Sequence, residues 1–130
     1  MRFEECHPFI RYARDLTMTA DSAYGVSVPY DARLFYARSG EGEILVGGRT
    51  YTMREGSVLY LPAATPYRLV SPVESVTYFA LNFDLTMDAR AYATPVPPVP
   101  PGEFRPEALL CPVTLTDAPE LAAPLHLNGM

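Results

Sequence analysis

The chain has 130 residues, 48% of them hydrophobic and 12% aromatic, a composition that excludes an intrinsically disordered segment and suits one globular domain. A domain of this size buries roughly two thirds of the surface its unfolded chain exposes, so it needs neither a metal nor a disulfide to build a core. Ten Lys plus Arg against fifteen Asp plus Glu leave a net charge of -5, and no basic run is long enough to neutralise several phosphates along a duplex.

The start, MRFEECHPFI, lacks the basic and apolar regions of a secretory signal, and no eighteen-residue apolar stretch follows. A cytoplasmic protein with no membrane partner is the expectation. Cys6 and Cys111 have neither metal-ligand nor redox-motif spacing and read as two unpaired thiols.

In chain order, Phe9 to Arg14 reads as an opening strand, with Pro8 at an edge position that need not supply its amide. An irregular loop is expected near Thr19 to Ala23, then a short strand over Tyr24 to Val28. From Arg33 to Tyr67 the runs LFYAR, EILV, TYTM and VLYL are cut by SGEG, Gly47-Gly48, Arg54-Glu55-Gly56 and Pro62. No run is long enough for a helix, so consecutive antiparallel strands are predicted, with Gly-Gly as a tight hairpin and Gly40, Gly42 and Gly56 at bulges or turns.

Arg68 to Val70 continues as a strand and Ser71-Pro72 turns. Val76 to Asp84 is the longest strand candidate, with Val76, Tyr78, Ala80 and Asn82 on one face and Thr77, Phe79, Leu81 and Phe83 on the other. Both faces are largely apolar, so one lines a barrel and the other is covered, by a second chain or by the C-terminal tail. Met87 to Ala93 is read as one or two helical turns, and PVPPVPP at 95–101 as a stiff extended crossing, because proline removes amide donors. Leu109 to Leu115 suggests another short strand and Ala118 to Leu121 a helical turn.

Strands this short at intervals of roughly ten residues indicate a β-sandwich or barrel. The spacing from Arg33 to Gly40, the GGxxY hairpin, the EG turn, VLYLP and PAATPY resemble, in that order, the two motifs of the cupins. With HPFIRYAR, YDARLFYARSGEGE, LNFDLT and the tail FRPEALLCPVTLTDAPELAAPLHLNG, nearly the whole chain is similar to the N-terminal sensing domain of AraC-family transcriptional regulators. The resemblance implies an all-β cupin-like jelly roll, a double-stranded β-helix, with a C-terminal extension of little helix. Residues 1–15 would be the arm and first strand, 24–84 the barrel, 95–101 the crossing and 102–130 the extension. It further implies a small-molecule effector such as a sugar, a homodimer, and DNA binding through a C-terminal helix-turn-helix domain that this chain lacks.

Carried over position by position, the cupin metal ligands fall on Arg33, on or near Ser27 and Pro29, and on Tyr67. An arginine repels a divalent cation and the others are poor ligands, so no metal and no cofactor are expected. The resemblance points Arg33 and Tyr67 into the barrel as ligand contacts, with Tyr36, Tyr60, Tyr78, Asn82 and Arg11 as further pocket candidates whose face depends on the register. Arg33 either anchors a ligand, pairs with an internal carboxylate, or reaches the barrel mouth. No nucleophile stands beside a base, and glycine-rich phosphate loops are absent. A non-catalytic domain is therefore expected, against the rival readings of a cupin enzyme and of a barrel used only for dimerisation.

Overall fold

The fold is all-β and cupin-like, seen in a computed structural model that describes residues 1–85, 96–109 and 114–128. Seven strands carry it: β1 (Phe9–Thr19), β2 (Ala32–Val46), β3 (Arg49–Arg54), β4 (Val58–Leu61), β5 (Arg68–Val70), β6 (Ser75–Asp84) and β7 (Leu125–Leu127). The only helical pieces among the described residues are 3-10 turns of three or four residues.

Strand β2 organises the sheet because it serves two sets of partners. Its first half pairs antiparallel with β4 and β6, and its second half pairs antiparallel with β3 and β5. The order β1-β6-β2-β4-β7 thus turns at β2 into a second layer. The turn is made at Gly40, whose φ is +79° and where an added Cβ would lie 2.0 Å from the Ser75 carbonyl oxygen. Only glycine fits there without moving backbone. SGEG was expected to separate two strands; instead the chain runs through it as one fifteen-residue strand with a register shift between Ala37 and Ser39.

Other segments differ from expectation for reasons of pairing. The opening strand extends to Thr19 because the ten-residue β6 supplies a ladder along its length. Tyr24 to Val28 forms no strand and makes two isolated bridges, Ser27 to Tyr67 and Val28 to Val99. The second of these ties down the proline-rich crossing. Met87 to Ala93, Cys111 and most of Leu109 to Leu115 lie outside the described residues. The helical turn near Ala118 to Leu121 is the 3-10 turn Pro119–Ala122, while β7 had no counterpart in the sequence reading.

The core lies between the two layers, with Met18, Ile44, Met53, Leu59, Leu61 and Val76 wholly buried. The alternation of β6 fixes the inner face: Val76, Tyr78, Ala80, Asn82 and Asp84 are buried, whereas Phe79, Leu81 and Phe83 are half-buried on the outer face. Part of that outer face is covered by the C-terminal segment, where the Tyr60 hydroxyl donates to the Leu121 carbonyl at 2.8 Å. No helix among the described residues is long and apolar enough to cross a membrane.

Candidate functional site: a buried charge cluster at one end of the barrel

Four charged side chains meet at the barrel end formed by the start of β2 and the end of β6. Arg11 reaches it because the β1–β6 register slips between Ile10 and Tyr12, and the irregularity turns Arg11 inward while Ile10 stays exposed. Asp31 immediately precedes β2, two residues before Arg33, so strand alternation sends both to the same side. Asp84 ends β6 on the buried face it shares with Asn82.

Arg11 Nη1 donates to Asp31 Oδ2 at 2.6 Å, and Arg11 Nη2 donates to Asp84 Oδ2. Arg33 Nη2 lies 3.0 Å from Asp31 Oδ1 and donates to the Val96 carbonyl at 3.4 Å, which links the cluster to the crossing. Asp31 is wholly buried, and the other three are at most 6% exposed. Two guanidinium groups balance two carboxylates. This balance matters because a single unpaired ion in such a place costs several kcal/mol, on the order of 3 to 5 when one partner is removed.

The cluster is not fully satisfied. Arg33 Nε has no hydrogen-bond partner among the described residues, and Asp31 Oδ1 contacts Arg33 as an ion pair without hydrogen-bond alignment. Burial pushes the Asp31 carboxyl above the usual carboxylate range, even though Arg33 and Arg11 pull it down. For Arg11 burial acts downward, but the hydrogen bonds to Asp84 and Asp31 prevail and raise it. The two causes differ: loss of water around Asp31 outweighs its cationic neighbours, whereas the paired carboxylates around Arg11 outweigh its own desolvation.

The candidate residues of the sequence divide into three groups. Arg11 and Arg33 meet through Asp31; Asn82 stands opposite Arg33 in the β2–β6 register, and Arg33 also lowers the Tyr67 phenol against the stronger upward push of burial. Tyr78 is interior but lies toward the opposite end: Phe35 packs edge-on between Tyr67 and Tyr78, with ring centroids 5.6 and 6.0 Å away. Tyr36 and Tyr60 lie on the outer face, Tyr36 39% exposed and Tyr60 under the C-terminal segment, with its phenol raised by burial. Sequence reading missed Asp31 and Asp84. Their signal was position, since each stands two residues from a candidate on the same face, in YDAR and LNFD.

The residues at the cupin metal positions do not fit a divalent ion. Arg33 is a cation committed to Asp31, Tyr67 is packed on Phe35, and Ser27 bridges Tyr67 through backbone only. Among the described residues no three His, Cys, Asp or Glu side chains are grouped to hold a metal. Cys6 is a free thiol.

With this geometry the comparisons agree. Residues 29–81 match the cupin domain. Among solved structures, the fold is similar to a Cupin 2 conserved barrel domain protein from Salinispora arenicola, at 17% identity and a TM-score of 0.51 over 65% of this chain and 76% of that one. It is similar to the DMSP lyase DddQ from Ruegeria pomeroyi at 14% identity and a TM-score of 0.52, over 67% of this chain and 49% of the lyase. A weaker likeness, with a TM-score of 0.40 and 14% identity over 55% of this chain and 28% of the other, is to fatty-acid-bound ToxT from Vibrio cholerae, an AraC-family regulator. No curated protein matches the chain in sequence. At these identities the first two likenesses show the fold alone, and the chain spans about half of the lyase.

One expectation is corrected here. The missing nucleophile and metal ligands led to the reading of a non-catalytic domain, but the barrel is shared with a lyase, so the architecture leaves catalysis open. A fold does not set an activity in either direction.

Proposed function

We propose that the chain is the effector-sensing and dimerising part of an AraC-family transcription regulator, acting on DNA through a helix-turn-helix module outside this segment. The order of its motifs supports the reading, and one structural observation carries it: Arg11 of the arm, Asp31 and Arg33 of the barrel, and Asp84 form one buried cluster. Arg33 extends it to the crossing through Val96. An effector that presents hydroxyl or carbonyl oxygens to Arg33 Nε competes for the same charges that seat the arm. It therefore favours one arm position over another, and a differential affinity of a few kcal/mol is enough to change the population that reaches DNA. Sugars and related metabolites have that chemistry. Tyr67 and Asn82, beside Arg33, are the further ligand contacts in this reading.

The test is a thermal-shift screen against sugars, sugar acids and small carboxylates, with Arg33→Lys alongside and each mixture assayed for turnover. A ligand at a hundred times its dissociation constant adds about 2.7 kcal/mol, a clear rise in melting temperature. A stabilising hit lost in Arg33→Lys, which keeps the charge and removes Nε, supports the reading. Turnover of a hit, or a sedimentation profile of monomer with and without it, overturns it.

A further inference from the structure

Away from the charge cluster, β3 and β7 form the walls of a cleft of about 620 Å³. Each strand pairs on one side only among the described residues, β3 with β2 and β7 with β4, and the cleft runs between them. Its walls carry Arg49, Arg54 and His126, and among the described residues Glu55 is the only carboxylate lining it. In a chain with fifteen acidic residues against ten basic ones, cations usually find carboxylates, yet neither arginine forms an ion pair with a described residue.

The wall is also ordered in advance. The Arg49 guanidinium sits over the Tyr51 ring, 5.3 Å from its centroid, and the His126 ring lies 5.3 Å from the same phenol. His126 Nε2 is 3.1 Å from the Thr52 carbonyl oxygen, which spans the cleft from one strand to the other. Tyr51 is 9% exposed and packed in place, so the exposed Arg49 guanidinium stacked on it is restrained. Restraint before binding lowers the entropic cost of engaging a ligand.

We propose that the β3–β7 cleft binds a small anionic metabolite through a phosphate or carboxylate group held by Arg49, with Arg54 at the other end of β3 adding positive charge to the cleft. Forked guanidinium donors match both groups in geometry, and the volume is that of a small-molecule site. The proposal goes beyond the regulator reading and depends neither on Arg33 nor on DNA. Amide NMR of the domain, titrated with inorganic phosphate in one arm and citrate in the other at constant ionic strength, tests it. The expected result is saturable shifts confined to residues 49–55 and to His126, and the tighter arm identifies the anion class. Arg49→Gln weakens binding about tenfold and Arg54→Gln less, while Arg38→Gln binds as the parent does. Shifts that fail to saturate in both arms, or that spread over the surface, overturn the proposal. So does unchanged affinity in an Arg49→Gln, Arg54→Gln double variant that keeps the parent melting temperature.

Discussion

The two ends of the barrel are built on opposite principles. At one end Arg11, Asp31, Arg33 and Asp84 hold together through charge, and at the other Val76, Tyr78 and the residues packed on Gly42 hold through shape. The charged end gains little net stability, because desolvating four ions costs about what their attraction returns. It gains uniqueness instead, since each ion tolerates only its partners. The shaped end gives stability from apolar contact and accepts almost any residue of the right volume. In the regulator reading proposed above, the switch lies at the first end and the support at the second.

Removing one member of the cluster should have the largest effect. Arg11→Met leaves Asp84 and half of Asp31 without a counter-ion and should cost about 3–5 kcal/mol in urea unfolding. Arg11→Met with Asp84→Leu restores the balance around the remaining Asp31–Arg33 pair and should recover much of that loss. If the double variant is as unstable as the two single losses added, packing and not charge governs this end.

Next in size is steric. An added Cβ at Gly42 would stand 2.6 Å from the Tyr78 hydroxyl and 3.0 Å from Val76 Cγ1. Gly42→Ala should therefore cost roughly 1–3 kcal/mol, and less in a Tyr78→Phe background, where the closest atom is gone. Equal costs in both backgrounds would place the strain on Val76 instead.

Tyr78 gives a smaller effect with a defined sign. Its hydroxyl is buried without a hydrogen-bond partner among the described residues, and burial, helped by the negative charge of Glu43, pushes its pKa up to about 12. Because the folded value lies above the unfolded one, its stability contribution is complete below pH ~10 and is lost as pH rises toward ~12. Tyr78→Phe, which forfeits no hydrogen bond, should match the parent at pH 7 and unfold less readily at high pH, by up to about 2 kcal/mol. Parallel stability curves for the two proteins would disprove the burial of an ionisable phenol. Smallest is Arg38→Gln, which breaks the exposed pair with Asp15 at 2.7 Å and should leave the unfolding midpoint unchanged.

The strand runs, the Gly47-Gly48 hairpin and the two faces of β6 were legible because short-range rules govern them: apolar alternation and turn chemistry act within a few residues. Arg33 as an inward residue was legible too, through the cupin-like spacing. Its partners were not. Asp31 lay in an unassigned position before β2, Asp84 closed a strand, and Arg11 turned inward only through a register slip in another strand pair. Tyr36 and Tyr60 were grouped with Tyr67 and Tyr78 because composition cannot distinguish an aromatic facing the core from one facing outward; the β2–β4 and β2–β6 registers make that distinction.

The sequence by itself determined that this chain makes short antiparallel strands around one apolar core, and where most of them turn. Tertiary structure alone decided that β2 bends through Gly40 to serve two layers, and that charges from residues 11, 31, 33 and 84 share one buried site. The physical reason is range. Turn and alternation preferences are set by neighbours along the chain, whereas the position of a buried charge is set by which distant opposite charge can reach it once water has been excluded.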